Sequence, residues 1–180
     1  MHPQVGIVSD TFGQVDARLK KLFRTINVLL HVGDLQDDET MKATAKLIPG
    51  VAAFAIHGND PGTPLKERLG WVSCSDVQGV RILCAHRADT ATAALTDNDH
   101  WSRASVVVFG SSPKPSLSVQ KDGRMWMTPG GVGLERPAMR IAGLLEVRPK
   151  EIVGRLYSLE EDALPLVAEA RTPRGPRTKD

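Results

Sequence analysis

Short apolar runs alternate with amphipathic stretches through the first half of the chain. The runs with strand character are Gln4–Ser9, Val28–Val32, Val51–Ile56, Val80–Ala85 and Ser105–Phe109. Alternating strand and helix signals are typical of βαβ units, in which neighbouring strands run parallel. The first half therefore predicts a parallel or mostly parallel sheet.

Helical periodicity fills the segments between these runs. From Val15 to Ile26, apolar residues recur at three- and four-residue spacing with basic residues opposite, which predicts an amphipathic helix. Asp38-Glu39 leads into a second predicted helix over Thr40–Ile48, which Pro49-Gly50 ends. A third helix is predicted over Thr90–Arg103, where the periodicity is weaker.

Beyond Pro113 the pattern changes to paired strands joined by short turns. Lys121-Asp122-Gly123 and Arg148-Pro149-Lys150 carry the turn signals. The flanking predicted strands are Ser116–Gln120, Arg124–Thr128, Met139–Val147 and Glu151–Ser158. An α/β half followed by a β-meander half predicts a mixed-sheet α/β sandwich rather than a purely parallel, doubly wound sheet.

The last 22 residues depart from this plan. Leu159–Ala170 predicts a short helix interrupted near Pro165, and Arg171–Asp180 is basic and rich in prolines, which favours disorder. We therefore predict one domain over residues 1–158 and a C-terminal extension over 159–180, flexible from residue 171.

Composition limits the functional classes. At 180 residues, 41% hydrophobic, 24% charged and only 4% aromatic, the chain suits one soluble domain with an aliphatic core. The net charge is +2, and the last ten residues carry much of the positive excess, so the folded part gives no indication of nucleic-acid binding. No apolar run has the length of a membrane span, and no signal-peptide pattern precedes the first strand. We expect a cytoplasmic protein without a membrane association.

The two cysteines fit a reducing compartment. Cys74 and Cys84 flank a predicted turn at Asp76-Val77-Gln78-Gly79, and symmetric pairing about this turn places Cys74 opposite Arg81. A disulfide between them is not expected, and both are interpreted as reduced thiols.

Four polar residues follow successive predicted strands: Asp10, Asp34, Asn59 and His86. Each separation fits one strand–helix–strand step, so the four side chains are expected to converge at one sheet edge. Carboxylate, amide and imidazole ligands together suit Mn, Fe or Zn. Taken singly, the two aspartates are better explained as helix caps and Asn59 as a turn residue, so only the ordered set supports a metal site.

The set resembles the motifs of the calcineurin-like metallophosphoesterases, in particular the small bacterial and archaeal phosphodiesterases and the retromer subunit of the same fold. That family reads Asp-x-His, Gly-Asp, Gly-Asn, His-Gly-His and Gly-His-x-His in succession. Here Asp10 matches the first motif, His31-Val32-Gly33-Asp34 the second, Gly58-Asn59 the third, and His86 the start of the fourth. The resemblance implies an α/β fold of the four-layer αββα type, a sandwich of two mixed β-sheets.

Three ligating histidines of the family are replaced in this chain, by Phe12, Ser111 and Pro113. The resemblance implies that one metal position keeps Asp10 and Asp34. It implies that the other keeps Asp34 together with Asn59 and His86. A two-metal centre is therefore not expected, whereas one weakly held divalent ion (Mn, Fe or Zn) remains compatible with the ligands. His57, two positions before Asn59, is a weaker candidate for a replacement ligand.

Two hypotheses of function follow. The first is a metallophosphoesterase-fold protein with a degenerate metal centre, catalytically weak or inactive, that acts as a binding or scaffold protein. The second is a metal-dependent phosphodiesterase or phosphatase with a single ion at Asp34, Asn59 and His86, aided by Asp10, with Asp60 supplying the proton to the leaving group. The partner is accordingly a phosphate ester or another protein, and the loss of three histidines favours the first hypothesis.

Overall fold

The computed structural model describes residues 2–48, 50–59, 68–132 and 139–174. Its strands are β1 Gln4–Val8, β2 Val28–Val32, β3 Ala52–Ile56, β4 Val72–Val77, β5 Val80–Ala85, β6 Val106–Phe109, β7 Ser116–Val119, β8 Met125–Thr128, β9 Ile141–Val147, β10 Glu151–Ser158 and β11 Leu166–Pro173. They form a six-stranded sheet in the order β11-β10-β9-β1-β2-β3 and a five-stranded sheet in the order β4-β5-β6-β8-β7. Both sheets mix parallel and antiparallel pairs.

The helices are short and lie on the outside of the sheets. They are α1 Arg18–Leu22, α2 Asp38–Lys46 and α3 Ala88–Asp97, followed by a 3-10 turn at Trp101–Arg103. Asp37 caps α2, since its carboxylate accepts a hydrogen bond from the backbone N–H of Thr40 at 2.7 Å. None of the helices within the described ranges is long and apolar enough to cross a membrane.

The main core lies between the two sheets. Side chains alternate along each strand, so Val5 and Ile7 of β1 face the other sheet and pack with residues such as Ile82 and Met127. A second cluster joins the outer face of the six-stranded sheet to α1, and a third joins the five-stranded sheet to α3. Three apolar layers between four layers of structure confirm the predicted αββα sandwich.

The predicted strands are confirmed with bounds shifted by at most two residues, but two helices are shorter than predicted. The apolar stripe of Val15–Ile26 is buried, yet only Arg18–Leu22 is helical. The third predicted helix is divided into α3 and the 3-10 turn, because the side chain of Asn98 accepts hydrogen bonds from the N–H groups of His100 and Trp101. The strand β4 was not among the predicted strands because its Ser-Cys-Ser-Asp centre lacks an apolar run.

The predicted helix over Leu159–Ala170 is wrong. Residues Leu166–Pro173 form β11, the edge strand that pairs antiparallel with β10. Alternation explains the difference, since Ala168 and Ala170 pack on the main core while their neighbours face outward. The predicted flexibility from residue 171 is also wrong for residues 171–173; residues 175–180 lie outside the described ranges. The division into residues 1–158 and 159–180 stays a prediction.

The predicted register of the first hairpin is wrong by two residues. Val77 pairs with Val80, so the turn consists of Gln78 and Gly79, both with positive φ (50° and 78°) as a two-residue hairpin turn requires. Cys74 consequently lies opposite Leu83 rather than Arg81. Cys74 and Cys84 are both free thiols.

Candidate metal site

Three of the predicted ligands meet where β1, β2 and β5 end. Asp10 and Asp34 each follow a parallel strand of the six-stranded sheet, and His86 follows β5 of the other sheet. One ligand atom from each residue lies within 4.8 Å of the other two. The Nε2 atom of His86 is 3.3 Å from Oδ2 of Asp34. The expected convergence at a single sheet edge is therefore wrong for His86: the packing of the two sheets assembles this compact group of two carboxylates and one imidazole.

The backbone at both aspartates is left-handed, with φ of 51° at Asp10 and 54° at Asp34. This region is unfavourable for residues with a Cβ and is held only where the surroundings impose it. Here the two loops are joined by hydrogen bonds, from the N–H of Asp10 to the carbonyl of Gly33 at 3.0 Å and from the N–H of Phe12 to the carbonyl of Asp34 at 3.1 Å. The loops thus fix each other and hold both carboxylates at the ends of their strands.

Two positions of the motifs require glycine because atoms of other residues lie close to their backbone. A Cβ added at Gly33 would lie under 3.0 Å from the imidazole of His86, and one at Gly58 would lie under 3.0 Å from the carboxylate and backbone of Asp34. Any side chain at either position would displace a member of the group. Gly58 also shows that the loop after β3 lies directly against Asp34.

A backbone carbonyl orients the imidazole of His86. Nδ1 lies 2.8 Å from the carbonyl oxygen of Val32, which can only accept, so Nδ1 carries the hydrogen. This leaves Nε2 free of a hydrogen in the neutral ring and directed toward Asp34. Metal-binding histidines commonly have this arrangement, in which a carbonyl fixes the tautomer and the ring orientation. His86 is 2% exposed, so the ring has little freedom to turn.

The electrostatics of the group favour an additional positive charge. The pKa of Asp10 is raised to about 6, chiefly by burial; the charge of His86 lowers this pKa and the Asp34 carboxylate raises it. Burial lowers the pKa of His86, but the hydrogen bonds to Asp34 and Val32 and the charge of Asp10 outweigh it, so the pKa is raised overall. A proton on the imidazole or a divalent cation between the ligands relieves this excess of negative charge.

The donor set fits one divalent ion. Two carboxylates and an imidazole are ligands of Zn, Mn and Fe, and three protein ligands leave positions for water or a substrate. In the described part of the chain, this is the one group of three or more acidic, histidine or cysteine side chains close enough to share an ion. The group combines members of the two ligand sets that the family resemblance implies, with Asp34 common to both.

For Asn59 and Asp60, the site assignment stays a prediction. Asn59 is exposed on the loop after Gly58, and Asp60 lies outside the described residues. Phe12 is half-buried, while Ser111 and Pro113 are exposed. These three residues, which the motif resemblance assigns to positions of ligating histidines, carry no nitrogen or carboxylate ligand in their side chains.

Two buried histidines near the group were given little weight in the sequence analysis. His31 shares a hydrogen bond of 3.0 Å with the hydroxyl of Thr11, and burial lowers the pKa of His31 to about 3, so the ring is neutral. The Nδ1 atom of His57 lies 2.8 Å from the carbonyl of Gly58, and its ring contacts Trp71 edge-to-face. Neither belongs to the ligand group. Strand alternation could have indicated that His31 is buried, because His31 shares the outer face of β2 with Leu29.

Comparison with known families agrees with this geometry. A sequence model of the calcineurin-like phosphoesterase superfamily domain matches residues 4–150. The chain belongs to this superfamily. The membership that the motif resemblance implied is thereby confirmed at the level of the superfamily.

Solved structures of the same fold cover nearly the whole chain. Vacuolar protein sorting 29 (Vps29) from Cryptosporidium parvum superposes with a TM-score of 0.76 at 15% identity, over 96% of this chain and 99% of its own. Wild-type Vps29 from Entamoeba histolytica in complex with Zn²⁺ gives 0.67 at 14% identity, over 94% and 98%. An archaeal phosphodiesterase gives 0.68 at 17% identity, over 87% and 99%. Comparison of the sequence with curated proteins gives no match. Identities this low establish the fold alone.

Proposed function

We propose that this chain is a metallophosphoesterase-fold binding protein whose pocket holds a single divalent ion and hydrolyses phosphate esters weakly or not at all. The observation that carries the proposal is the convergence of Asp10, Asp34 and His86. The motif resemblance, which assigns Phe12, Ser111 and Pro113 to positions of ligating histidines, supports it. The ligand is a phosphate ester or a protein partner that contacts this pocket, and the expected location is the cytoplasm.

The chemistry of the pocket explains why hydrolysis is expected to be weak. A bound divalent ion would polarise one phosphate oxygen, whereas a pair of ions clamps both the attacking and the leaving oxygen of the ester. The protein itself supplies two carboxylates that hold the ion and an imidazole that Val32 fixes in place. No second set of three such ligands occurs in the described ranges. Binding without efficient turnover is the expected behaviour.

A second candidate is a single-ion phosphodiesterase, and one observation favours it. The strained backbone at Asp10 and Asp34 and the close approach of Gly33 and Gly58 preserve a precise ligand geometry. Strain at functional residues persists where the surrounding structure maintains it. In this case Asn59 would add an amide oxygen, and Asp60 would supply the proton to the leaving group.

Turnover separates the two candidates. We would measure hydrolysis of bis(p-nitrophenyl) phosphate with added Mn²⁺ by the native chain, by Asp34→Asn, and by Asp97→Asn, which removes an exposed carboxylate at the end of α3. The proposal expects the native rate to be close to that of Asp34→Asn. A high native rate that Asp97→Asn keeps and Asp34→Asn loses would replace the proposal with the phosphodiesterase.

A further inference from the structure

Trp71 lies at the same end of the fold as the metal ligands. In the first hairpin Val72 pairs with Ala85, so the residue before Val72 lies beside the residue after Ala85, which is His86. Neighbouring strands are about 4.8 Å apart, so the backbone of Trp71 is roughly one strand spacing from that of His86. The register alone therefore places an indole next to the pocket.

An independent set of contacts leads from Trp71 to the opposite side of the pocket. The indole packs edge-to-face on His57, and the N–H of His57 donates to the carbonyl of Gly70 at 3.2 Å. His57 in turn precedes Gly58, the glycine that lies against the carboxylate of Asp34. Trp71 is thus connected both to His86 through the hairpin and to Asp34 through the loop after β3.

The indole is nevertheless open to solvent. Trp71 is 54% exposed, the largest exposed fraction among the large apolar side chains of the described ranges. Tryptophan is usually well buried, and one that is open beside a polar cluster has a face free for contact with a ligand. Among the described residues, Trp71 is not a member of any of the three core clusters.

We infer that Trp71 is a stacking platform for a planar ring carried by the phosphate ligand, and that the preferred ligand of the pocket is a nucleoside monophosphate. The inference rests on the proposed single-ion pocket, which would take the phosphate. Because the register places Trp71 beside His86, a ligand in which a single sugar joins the phosphate to the ring can contact the ion and the indole together. Every nucleobase has a π-face, so stacking favours nucleotides as a class without selecting one base.

The carboxylates make this binding dependent on the cation. Asp10 and Asp34 repel a phosphate unless a divalent ion offsets their charge. Stacking on Trp71 then adds to the affinity for the whole ligand but contributes nothing to a phosphate that lacks the ring. Comparison of two ligands that differ only in the base isolates the role of the indole.

The test is calorimetric titration of the native chain with AMP and with ribose 5-phosphate in the presence of Zn²⁺. We expect AMP to bind about tenfold more tightly than ribose 5-phosphate, since a stacked base contributes on this order. Trp71→Ala should lower the affinity for AMP to that of ribose 5-phosphate and leave ribose 5-phosphate unchanged. Trp71→Phe should keep most of the preference. Phe54→Ala, which removes another half-exposed ring from β3, should keep all of it.

Equal affinity of the native chain for the two ligands would overturn the inference, as would a preference for AMP that survives in Trp71→Ala. In both cases retained binding of ribose 5-phosphate, abolished by Asp34→Asn, would leave the proposed pocket standing. Failure of both ligands to bind with Zn²⁺ present would overturn the pocket and the inference together. Melting curves of the Trp71 variants verify folding, which the exposure of the indole leads us to expect.

Discussion

At the scale of single residues, Phe12 has the largest effect on the chemistry of the pocket. Its backbone N–H donates to the carbonyl of Asp34 at 3.1 Å, and the motif resemblance assigns its position to a ligating histidine. The backbone at Phe12 is left-handed with φ of 44°, a conformation that histidine adopts more readily than most residues. The backbone at position 12 is therefore compatible with a histidine.

We predict that Phe12→His raises the affinity for Zn²⁺ by about tenfold, because an added imidazole completes a four-ligand set with Asp10, Asp34 and His86. Phe12→Leu is the matched control, since it removes the ring without adding a donor. Calorimetric titration with Zn²⁺ measures the effect. If Phe12→His binds the ion no more tightly than Phe12→Leu, position 12 does not face the ligand group.

The sequence predicted that Asp10, Asp34 and His86 converge, but not the packing that brings them together. Asp10 and Asp34 meet because β1 and β2 are neighbouring parallel strands, whereas His86 follows β5 of the other sheet. The grouping depends on how the two sheets pack and on left-handed φ values at the aspartates, and neither leaves a pattern in the sequence. The sequence also predicts Asn59 as a ligand, and that assignment stays a prediction.

At the scale of elements, β11 gives the clearest case in which tertiary pairing decides the secondary structure. Its register with β10 runs from Glu151 opposite Pro173 to Tyr157 opposite Leu166, with one irregularity near Leu156. Helix propensity in Val-Ala-Glu-Ala is real but weak, and an available sheet edge outweighs it. The chain near Pro165 therefore forms a turn into a strand instead of a kinked helix.

We predict that truncation after Ala170 lowers the melting temperature, by roughly 2–4 °C for each kcal/mol of unfolding free energy that the truncation removes. The truncation removes Thr172, which is 1% exposed and whose hydroxyl donates to the carbonyl of Gly123 at 2.5 Å. It also removes the pairing of Arg171 with Val153. A second truncation, after Arg174, keeps these contacts and serves as the control. Equal melting temperatures for the two truncated chains would show that the end of β11 contributes nothing.

An ion-pair network crosses β9, β10 and their turn. Glu146 accepts hydrogen bonds from Arg148 at 3.0 Å and from Arg155 at 3.1 Å, and its side chain is 14% exposed. The hydrogen bond from Arg148, with help from Arg155, lowers the pKa of Glu146 against the opposing effect of burial. A carboxyl group whose pKa is lowered by folding stabilises the folded state at pH values above the pKa that the group has in the unfolded chain. The stabilisation is lost as the pH falls through the folded pKa.

Glu146→Gln should therefore lower the free energy of unfolding at pH 7 by about 1 kcal/mol and have a smaller effect at pH 3. Urea denaturation at the two pH values measures the difference. Glu39→Gln breaks an exposed pair with Lys42 on α2 and should change stability little at either pH. An equal loss at both pH values for Glu146→Gln would contradict an electrostatic origin.

At the scale of the whole molecule, the pocket is a product of sheet packing. Asp10 and Asp34 come from one sheet and His86 from the other, and the apolar layer between the sheets sets the distance between them. The pattern of apolar residues predicted a mixed-sheet sandwich, and the motif resemblance supplied the four-layer αββα arrangement. The sequence did not place Trp71 beside His86, because the register of the first hairpin depends on turn geometry that the sequence analysis placed incorrectly.

The stoichiometry of metal binding tests the central claim most directly. We would purify the native chain without chelator, dialyse it after incubation with excess Zn²⁺ or Mn²⁺, and determine bound metal by elemental analysis, with Asp34→Asn and Asp97→Asn in parallel. A single-ion pocket predicts at most one equivalent per chain, lost in Asp34→Asn and retained in Asp97→Asn. Two equivalents surviving dialysis would contradict it.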